Sequence, residues 1–249
     1  MQDQFYFLDI VDSTNIYAAN LLAANPKSFT TIVARYQIAG RGQQQNKWES
    51  NDGENLLMST IFKPNQLHTT NLYSLYMASS LAVCALLDNH LNTKSVIKWP
   101  NDILVDGSKI AGILIENSIR GTLVQDCIVG VGLNVNQHHF STYNIPAASM
   151  HTIGGSNYDI KEIAYKLLQS IKKYLGLLDE GDFENLRKEY LAKLYGFQTL
   201  IPFRKNKMIF NGKIIDISET GGLIVSVDDD DMHSQISFFQ PKEIEFVFD

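Results

Sequence analysis

Four short stretches of the 249-residue chain put chemically capable side chains at spacings that an ordinary core does not need. The first is Gly40-Arg41-Gly42-Gln43-Gln44-Gln45-Asn46-Lys47-Trp48. Its glycines let backbone N–H groups come close to a ligand. Arg41 and Lys47 suit carboxylate or phosphate oxygens, and Trp48 offers a flat face to a purine. The stretch lacks the third glycine of a dinucleotide fingerprint and the Gly-Lys-Ser/Thr of a P-loop, so a polar surface loop is the plain alternative. The second is Lys98-Trp99-Pro100-Asn101-Asp102. Pro100 biases Trp99 toward extended backbone. Lysine can neutralise phosphate, Asn101 can hydrogen-bond a base or phosphate, and Asp102 can hold Mg²⁺; the plain alternative is a capped turn. The third is Lys109-Ile110-Ala111-Gly112-Ile113-Leu114-Ile115-Glu116, where a cation opens an apolar strand and Gly112 leaves room for close approach. In the fourth, Gly130, Gly132, Asn134 and Asn136 alternate with apolar residues, which puts all four on one face of a strand.

The elements that must position these groups follow from periodicity. Strands are expected over 5–10, 29–37, 55–62, 95–99, 109–116 and 126–135. Asp12, Ser13 and Thr14 precede a helix over 15–24, each a good cap type. Longer helices are expected over 69–91, 159–178 and 182–195, the last with Glu184/Lys188 and Glu189/Lys193 as i,i+4 pairs. Asp106-Gly107 marks a hairpin, and residues 118–121 mark a second connection. The centre therefore reads as a largely antiparallel sheet rather than a βαβ series. After Gly196 helical spacing gives way to short strand-like runs over 199–203, 207–216, 222–227, 235–239 and 243–248. Turns are expected at Asn211-Gly212, Gly221-Gly222 and 228–231, so a small barrel or sandwich should begin near residue 197. Domains of 1–196 and 197–249 are expected.

Composition narrows the classes. Apolar residues make up 45%, enough for a core, and the net charge of −6 excludes nucleic-acid binding through bulk charge. Two cysteines, Cys84 and Cys127, exclude a disulfide scaffold and read as buried thiols. The acidic start is unlike a signal peptide, and no uninterrupted apolar run approaches membrane-spanning length. A cytoplasmic chain with no membrane partner is expected. His138-His139 and the acidic run 228–231 read as a surface loop and a solvated hairpin tip rather than metal sites.

Taken together, the chemical stretches resemble the catalytic domain of the biotin protein ligases. The resemblance is carried by DSTN at 12–15, Gln37 with AGRG at 39–42, Lys47-Trp48 and Ser50, KWPND at 98–102, KIAGILIE at 109–116 and GVGLNVN at 130–136, in the family's order and spacing. It implies an α+β fold of the class II synthetase-like biotin–lipoate ligase type. That fold has a mixed, largely antiparallel sheet with packed helices and a small C-terminal SH3-like β-barrel. It implies an ATP-dependent ligase, using Mg²⁺, that forms biotinyl-5′-AMP and biotinylates a lysine of a biotin carboxyl carrier protein, as in acetyl-CoA carboxylase. By resemblance Ser13, Thr14, Gln37, Gly40, Arg41, Gly112, Leu114 and Gly130 bind biotin. Lys47, Trp48, Lys98, Asn101, Lys109 and Asn134 bind ATP, with Trp48 on the adenine face and Asn134 at its edge. Lys109 and Arg41 are catalytic, and Asp102 either meets Mg²⁺ or orients Lys109.

The chain departs from the family where Gln43, Gln44, Gln45 and Asn46 stand in place of the arginines and glycine usual after GRG, so phosphate contacts from the loop are expected to rest more on Arg41, Lys47 and backbone amides, with altered retention of the intermediate or altered ATP affinity. DSTN begins at residue 12, so no preceding DNA-binding domain, and no DNA partner, is expected. A homodimer is compatible with the resemblance. Two alternatives stay open: a lipoate protein ligase, whose Arg-Arg-x-Ser-Gly-Gly-Gly signature is absent, and a catalytically impaired biotin- or nucleotide-binding regulator.

Overall fold

The computed structural model describes residues 3–43, 46–142, 144–228 and 234–248. The chain starts with β1 (Phe5–Val11), α1 (Thr14–Leu21), β2 (Thr31–Gln37) and β3 (Asn55–Phe62). After α2 (Tyr73–His90) come β4 (Ser95–Lys98), β5 (Asp102–Val105), β6 (Ser108–Arg120) and β7 (Leu123–Asn134). These strands form one sheet in the order β1-β2-β3-β7-β6-β5-β4. Only β1 and β2 run parallel, joined by the crossover through α1; the other pairs are antiparallel. The mixed, largely antiparallel sheet read from the sequence is the sheet observed.

Strand periodicity sorts the sheet into two faces. Leu56, Met58, Ala111, Ile113, Ile115, Val129, Val131 and Leu133 point into the main core, shared with α2 and with α4 (Ile160–Asp179) and α5 (Phe183–Lys193). On the other face α1 covers only one end, where Ala18 packs on Ile32, Ile61 and Ile128. The rest of that face carries Leu57, Ser59, Gly112, Leu114, Glu116, Gly130 and Gly132. Every residue of β3 is buried, as a central strand covered on both sides requires. Residues 69–90 have the length and mean hydropathy, 1.3, to cross a membrane, which the absence of one unbroken apolar run conceals. Thirteen of the 18 residues of α2 are buried against the sheet and α4, so it is a core helix.

Several local expectations change. Strand β5 was not foreseen. Its Ile-Leu-Val run pairs back on β4 across Trp99-Pro100-Asn101, and Asp106-Gly107, both at positive φ, then turn it into β6 as expected. The β6–β7 hairpin runs on to a turn at Gly121, so residues 118–120 are strand rather than connection. A short helix α3 (Met150–Gly154), capped by Ser149 and Thr152, was also unread. Lys193 pairs with Asp88 of α2 rather than with Glu189.

The C-terminal strands β8 (Leu200–Lys205), β9 (Met208–Ile217), β10 (Leu223–Asp228), β11 (Ser234–Phe239) and β12 (Glu245–Phe246) form a second antiparallel sheet, in the order β11-β10-β9-β8-β12. The expected turn at Asn211-Gly212 is mid-strand. The glycine is there because a Cβ would stand 2.6 Å from Val225, while the actual turn is Asn206-Lys207, both at positive φ. Of the acidic run 228–231, residues beyond Asp228 lie outside the described ones, as do Gln44 and Gln45. Buried residues of both sheets join one apolar cluster. Gly221 presses against the Tyr73 ring and its carbonyl accepts from Trp99 Nε1 at 2.8 Å.

Candidate active site

The uncovered face of the large sheet, the glycine loop and the edge of the C-terminal sheet enclose a cavity of about 850 Å³. Thirteen of the fifteen side chains expected at a site line it; Gly40 and Asn134 do not. At one end a chain of neutral polar groups runs from α1 to the sheet. The Thr14 N–H donates to Gln37 Oε1 at 2.7 Å, and Thr14 Oγ1 lies 3.1 Å from the same oxygen. Ser59 Oγ lies 2.7 Å from Thr14 Oγ1 and 2.6 Å from Asn15 Oδ1. Gln37 Oε1 and Asn15 Oδ1 only accept, so three short oxygen–oxygen contacts share the hydrogens of two hydroxyls. Such a chain has acceptor capacity to spare and suits a neutral ligand carrying N–H donors. Ser13 lines the cavity and begins α1 without a capping bond from its hydroxyl.

The glycines on the floor answer to side chains of the protein itself. A Cβ at Gly130 would lie 2.3 Å from Asn15 Oδ1. One at Gly132 would lie 2.4 Å, and one at Gly112 3.0 Å, from the indole of Trp48. Trp48 thus lies on the cleared strip of β6 and β7, with its Nε1 buried and without a hydrogen-bond partner among the described residues. The Trp48 N–H donates to Gly40 O, and a Cβ at Gly40 would meet Trp48 O at 2.6 Å. Gly40 therefore shapes the loop from behind.

At the other end the charges collect. Asp102, 13% exposed, meets Lys109 Nζ at 2.6 Å through one oxygen and Lys98 Nζ at 3.2 Å through the other. Two ammonium groups share one carboxylate, leaving the cluster net positive toward an anion. Lys109 also sits 5.6 Å over the Trp48 ring. Asn101 is locked in place, its Nδ2 donating to Ile113 O and its carbonyl accepting from Ile113 N. Behind this turn, Tyr73 donates to Pro100 O and shares a 2.9 Å hydrogen bond with Tyr190. Burial pushes both phenols up, so the pair stays neutral. Lys47 lines the cavity, and Arg41 lies 3.0 Å from Glu116. The donor set does not fit a protein-held divalent cation. Both oxygens of Asp102 face lysines, and no group of three His, Cys, Asp or Glu among the described residues could hold a metal.

Asn134 is buried and donates to Ala148 O at 2.9 Å, so its amide braces the segment after β7. Sequence reasoning missed Asn15 as a lining residue and Ser59 as the buried hydroxyl that holds Thr14 and Asn15. Asn15 lay in a quoted motif, and Ser59 was visible as a hydroxyl inside an apolar strand. It also missed Arg204, Lys242 and Phe246, which the C-terminal sheet brings to the cavity with no local signal. Phe246 lies 5.7 Å from Lys98 Nζ. His138 lies against His151, with ring centroids 4.0 Å apart and the rings tilted by 49°.

Comparisons with known proteins identify the family. The model of the biotin/lipoate A/B protein ligase family matches residues 7–134. The biotin–[acetyl-CoA-carboxylase] ligase of Paracoccus denitrificans is 30% identical over 225 residues, covering 86% of this chain and 90% of that protein. The bifunctional ligase/repressor BirA of Bacillus spizizenii is 28% identical over 236 residues, covering 92% of this chain and 71% of its own length. Among solved structures, the biotin protein ligase of Aquifex aeolicus in complex with biotin and ATP superposes with a TM-score of 0.78 at 26% identity, over 98% of both chains. Family match, relatives and fold agree: the chain belongs to the biotin/lipoate A/B protein ligase family, as one of its biotin protein ligases.

Proposed function

We propose that this protein activates biotin with ATP to biotinyl-5′-AMP and then transfers the biotinyl group to a lysine of a biotin carboxyl carrier protein. The observation that carries the reading is the division of one cavity into two ends about Trp48, one neutral and acceptor-rich, the other built on Lys98, Asp102 and Lys109. Biotin has the matching halves: a ureido ring with N–H donors and an anionic tail. The polar chain from Gln37 to Asn15 receives the ureido ring, and Leu114 walls the bicycle. In the first step a carboxylate oxygen of biotin attacks the α-phosphorus, and pyrophosphate leaves. In the second the lysine amine attacks the acyl carbon; AMP leaves and the amine loses its proton to solvent.

Two anions must meet in the first step, so cations govern its barrier. Lys109 and Arg41 offset that repulsion, and Lys109 meets the charge that builds on the α-phosphate. A unit charge at about 4 Å with an effective dielectric near 20 contributes roughly 4 kcal/mol, and half of that is about a 30-fold rate factor. Asp102 acts as the orienter of Lys109 in this reading. Mg²⁺ accompanies the ATP phosphates rather than a protein ligand set. Trp48 keeps one indole face for adenine, and Lys98, Asn101 and Lys47 address the nucleotide. The reading includes a cytoplasmic site of action, where the thiols of Cys84 and Cys127 stay unpaired.

The test is incubation with ATP, labelled biotin and a carboxyl-carrier domain, with lipoate in parallel. Label should enter the carrier only with ATP present, and biotin with MgATP should raise the melting temperature more than lipoate does. Preferential attachment of lipoate would sink the biotin reading.

A further inference from the structure

Glu116 ends the site-facing row Gly112, Leu114, Glu116 of β6, where its backbone pairs with Ile128 of β7. One of its carboxylate oxygens, Oε2, accepts two hydrogen bonds. Asn15 Nδ2 of α1 donates at 2.7 Å across 101 residues of sequence, and Arg41 Nη2 of the glycine loop donates at 3.0 Å across 75. On the ligase reading above, we propose that Glu116 is a positioning residue that fixes Asn15 and Arg41 together, so that one group sets both the neutral end of the site and its loop cation.

The Arg41–Glu116 pair alone would carry little weight, since the side chains are 40% and 38% exposed and surface pairs contribute little. What distinguishes it is the shared oxygen. Asn15 is 3% exposed and has no freedom to seek another acceptor. Its Oδ1 is engaged by Ser59 and lies where a Cβ at Gly130 would intrude, so rotating the amide breaks the chain to Thr14 and Gln37. Without Glu116 its Nδ2 keeps, among the described residues, only Leu114 O, at 3.4 Å, leaving a buried donor poorly satisfied. Arg41 stands at the mouth of a loop closed on itself by Gly42 N to Asn46 O and Trp48 N to Gly40 O. Among the described residues its one ion pair is the bond to Glu116. The sheet thus anchors the loop through the oxygen that orients the asparagine.

Two substitutions separate the two bonds. Glu116→Gln keeps an acceptor for Asn15 and removes the charge that holds Arg41. Glu116→Leu removes both. In ligand-free protein, trypsin cleavage after Arg41 should be at least threefold faster in both variants than in the parent. The biotin Kd should rise at least tenfold for Glu116→Leu, and at least threefold less than that for Glu116→Gln, whose amide oxygen still accepts from Asn15. A merely structural carboxylate would move cleavage, affinity and melting temperature together. In an Arg41→Ala background, Glu116→Gln should change single-turnover adenylation by less than twofold, because the partner through which it acts is gone. Equal cleavage of parent and Glu116→Gln overturns the assignment, as does tight biotin binding by a folded Glu116→Leu. If Glu116→Leu does not fold, the Glu116→Gln cleavage rate still decides. A parent that binds no biotin refutes the ligase reading, while the cleavage comparison still decides the role of Glu116.

Discussion

Lys109 and Lys98 hold the two oxygens of one carboxylate, and that sharing sets what each lysine can do. Asp102 costs the cluster one charge but fixes the direction of Lys109, which a long flexible side chain does not supply by itself. Lys109→Gln keeps length and polarity and loses the charge. Single-turnover formation of biotinyl-AMP should fall at least about 100-fold, the usual scale for one preorganised electrostatic group. Transfer from supplied biotinyl-AMP should fall less, since that step expels no pyrophosphate. Adenylation within threefold of the parent by a folded variant would refute the role. The residue types were readable here: a lysine opening an apolar strand, seven positions after an aspartate, is out of place in a core. That Asp102 bridges two lysines was not readable, because β5, which carries it, is folded back on β4 and beside β6 by tertiary pairing.

At the scale of elements, strand alternation does most of the placing. Residues 112, 114 and 116 share a face because the side-chain period of a strand is two, and 130 and 132 lie opposite them in the adjoining strand. Glycine on that face was expected to clear space for a ligand; it clears space for Asn15 and Trp48. Gly130→Ala should therefore act through Asn15. Overpacking of this kind typically costs about 1–3 kcal/mol, and denaturant melts should show a loss in that range. Calorimetry should show at least tenfold weaker biotin binding, with ATP affinity less affected. An unchanged biotin Kd would mean that Asn15 does not serve the site. The unforeseen elements share one cause. Strand β5 is four residues long and α3 five, too short for a period to show, and each is held by partners elsewhere in the chain.

Across the whole molecule, helices and sheet are tied at a few polar joints. Asp88 at the end of α2 accepts from Ser95 N and Ser95 Oγ of β4, both at 2.8 Å, and from Lys193 of α5. Burial alone would raise its carboxyl, but the bonds from Lys193 and Ser95 outweigh it and hold the pKa below the ordinary 3.8. A carboxyl depressed in the folded state adds stability that is complete above the unfolded value near 3.9 and is lost as pH falls through the folded one. Asp88→Asn should cost about 1–2 kcal/mol at pH 7. Its urea midpoints should converge on those of the parent as pH drops below about 4; curves that stay parallel would exclude the linkage. The joint to the C-terminal sheet is of another kind. Trp99 Nε1 on Gly221 O and Gly221 on the Tyr73 ring seat that sheet directly behind the Lys98–Asp102 turn. Its Arg204, Lys242 and Phe246 thereby become part of the cavity wall.

The chain's own order of residues determined the family, the sheet with its helices, the face on which the glycines fall, and thirteen of the residues that line the cavity. These are local properties: periods of two and 3.6, caps, turns, and motifs a few residues long. Tertiary structure alone decided which of those side chains meet. Ser59 joins Thr14 and Asn15, Glu116 joins Arg41 and Asn15, and Asn134 turns from the cavity to Ala148. It also brought the last strands of the chain to a site whose motifs end at residue 136. A pattern in sequence reports which way a side chain points from its own strand or helix. Partners from 14 to 101 residues away are chosen by strand register and by how the layers pack, and those are properties of the folded whole.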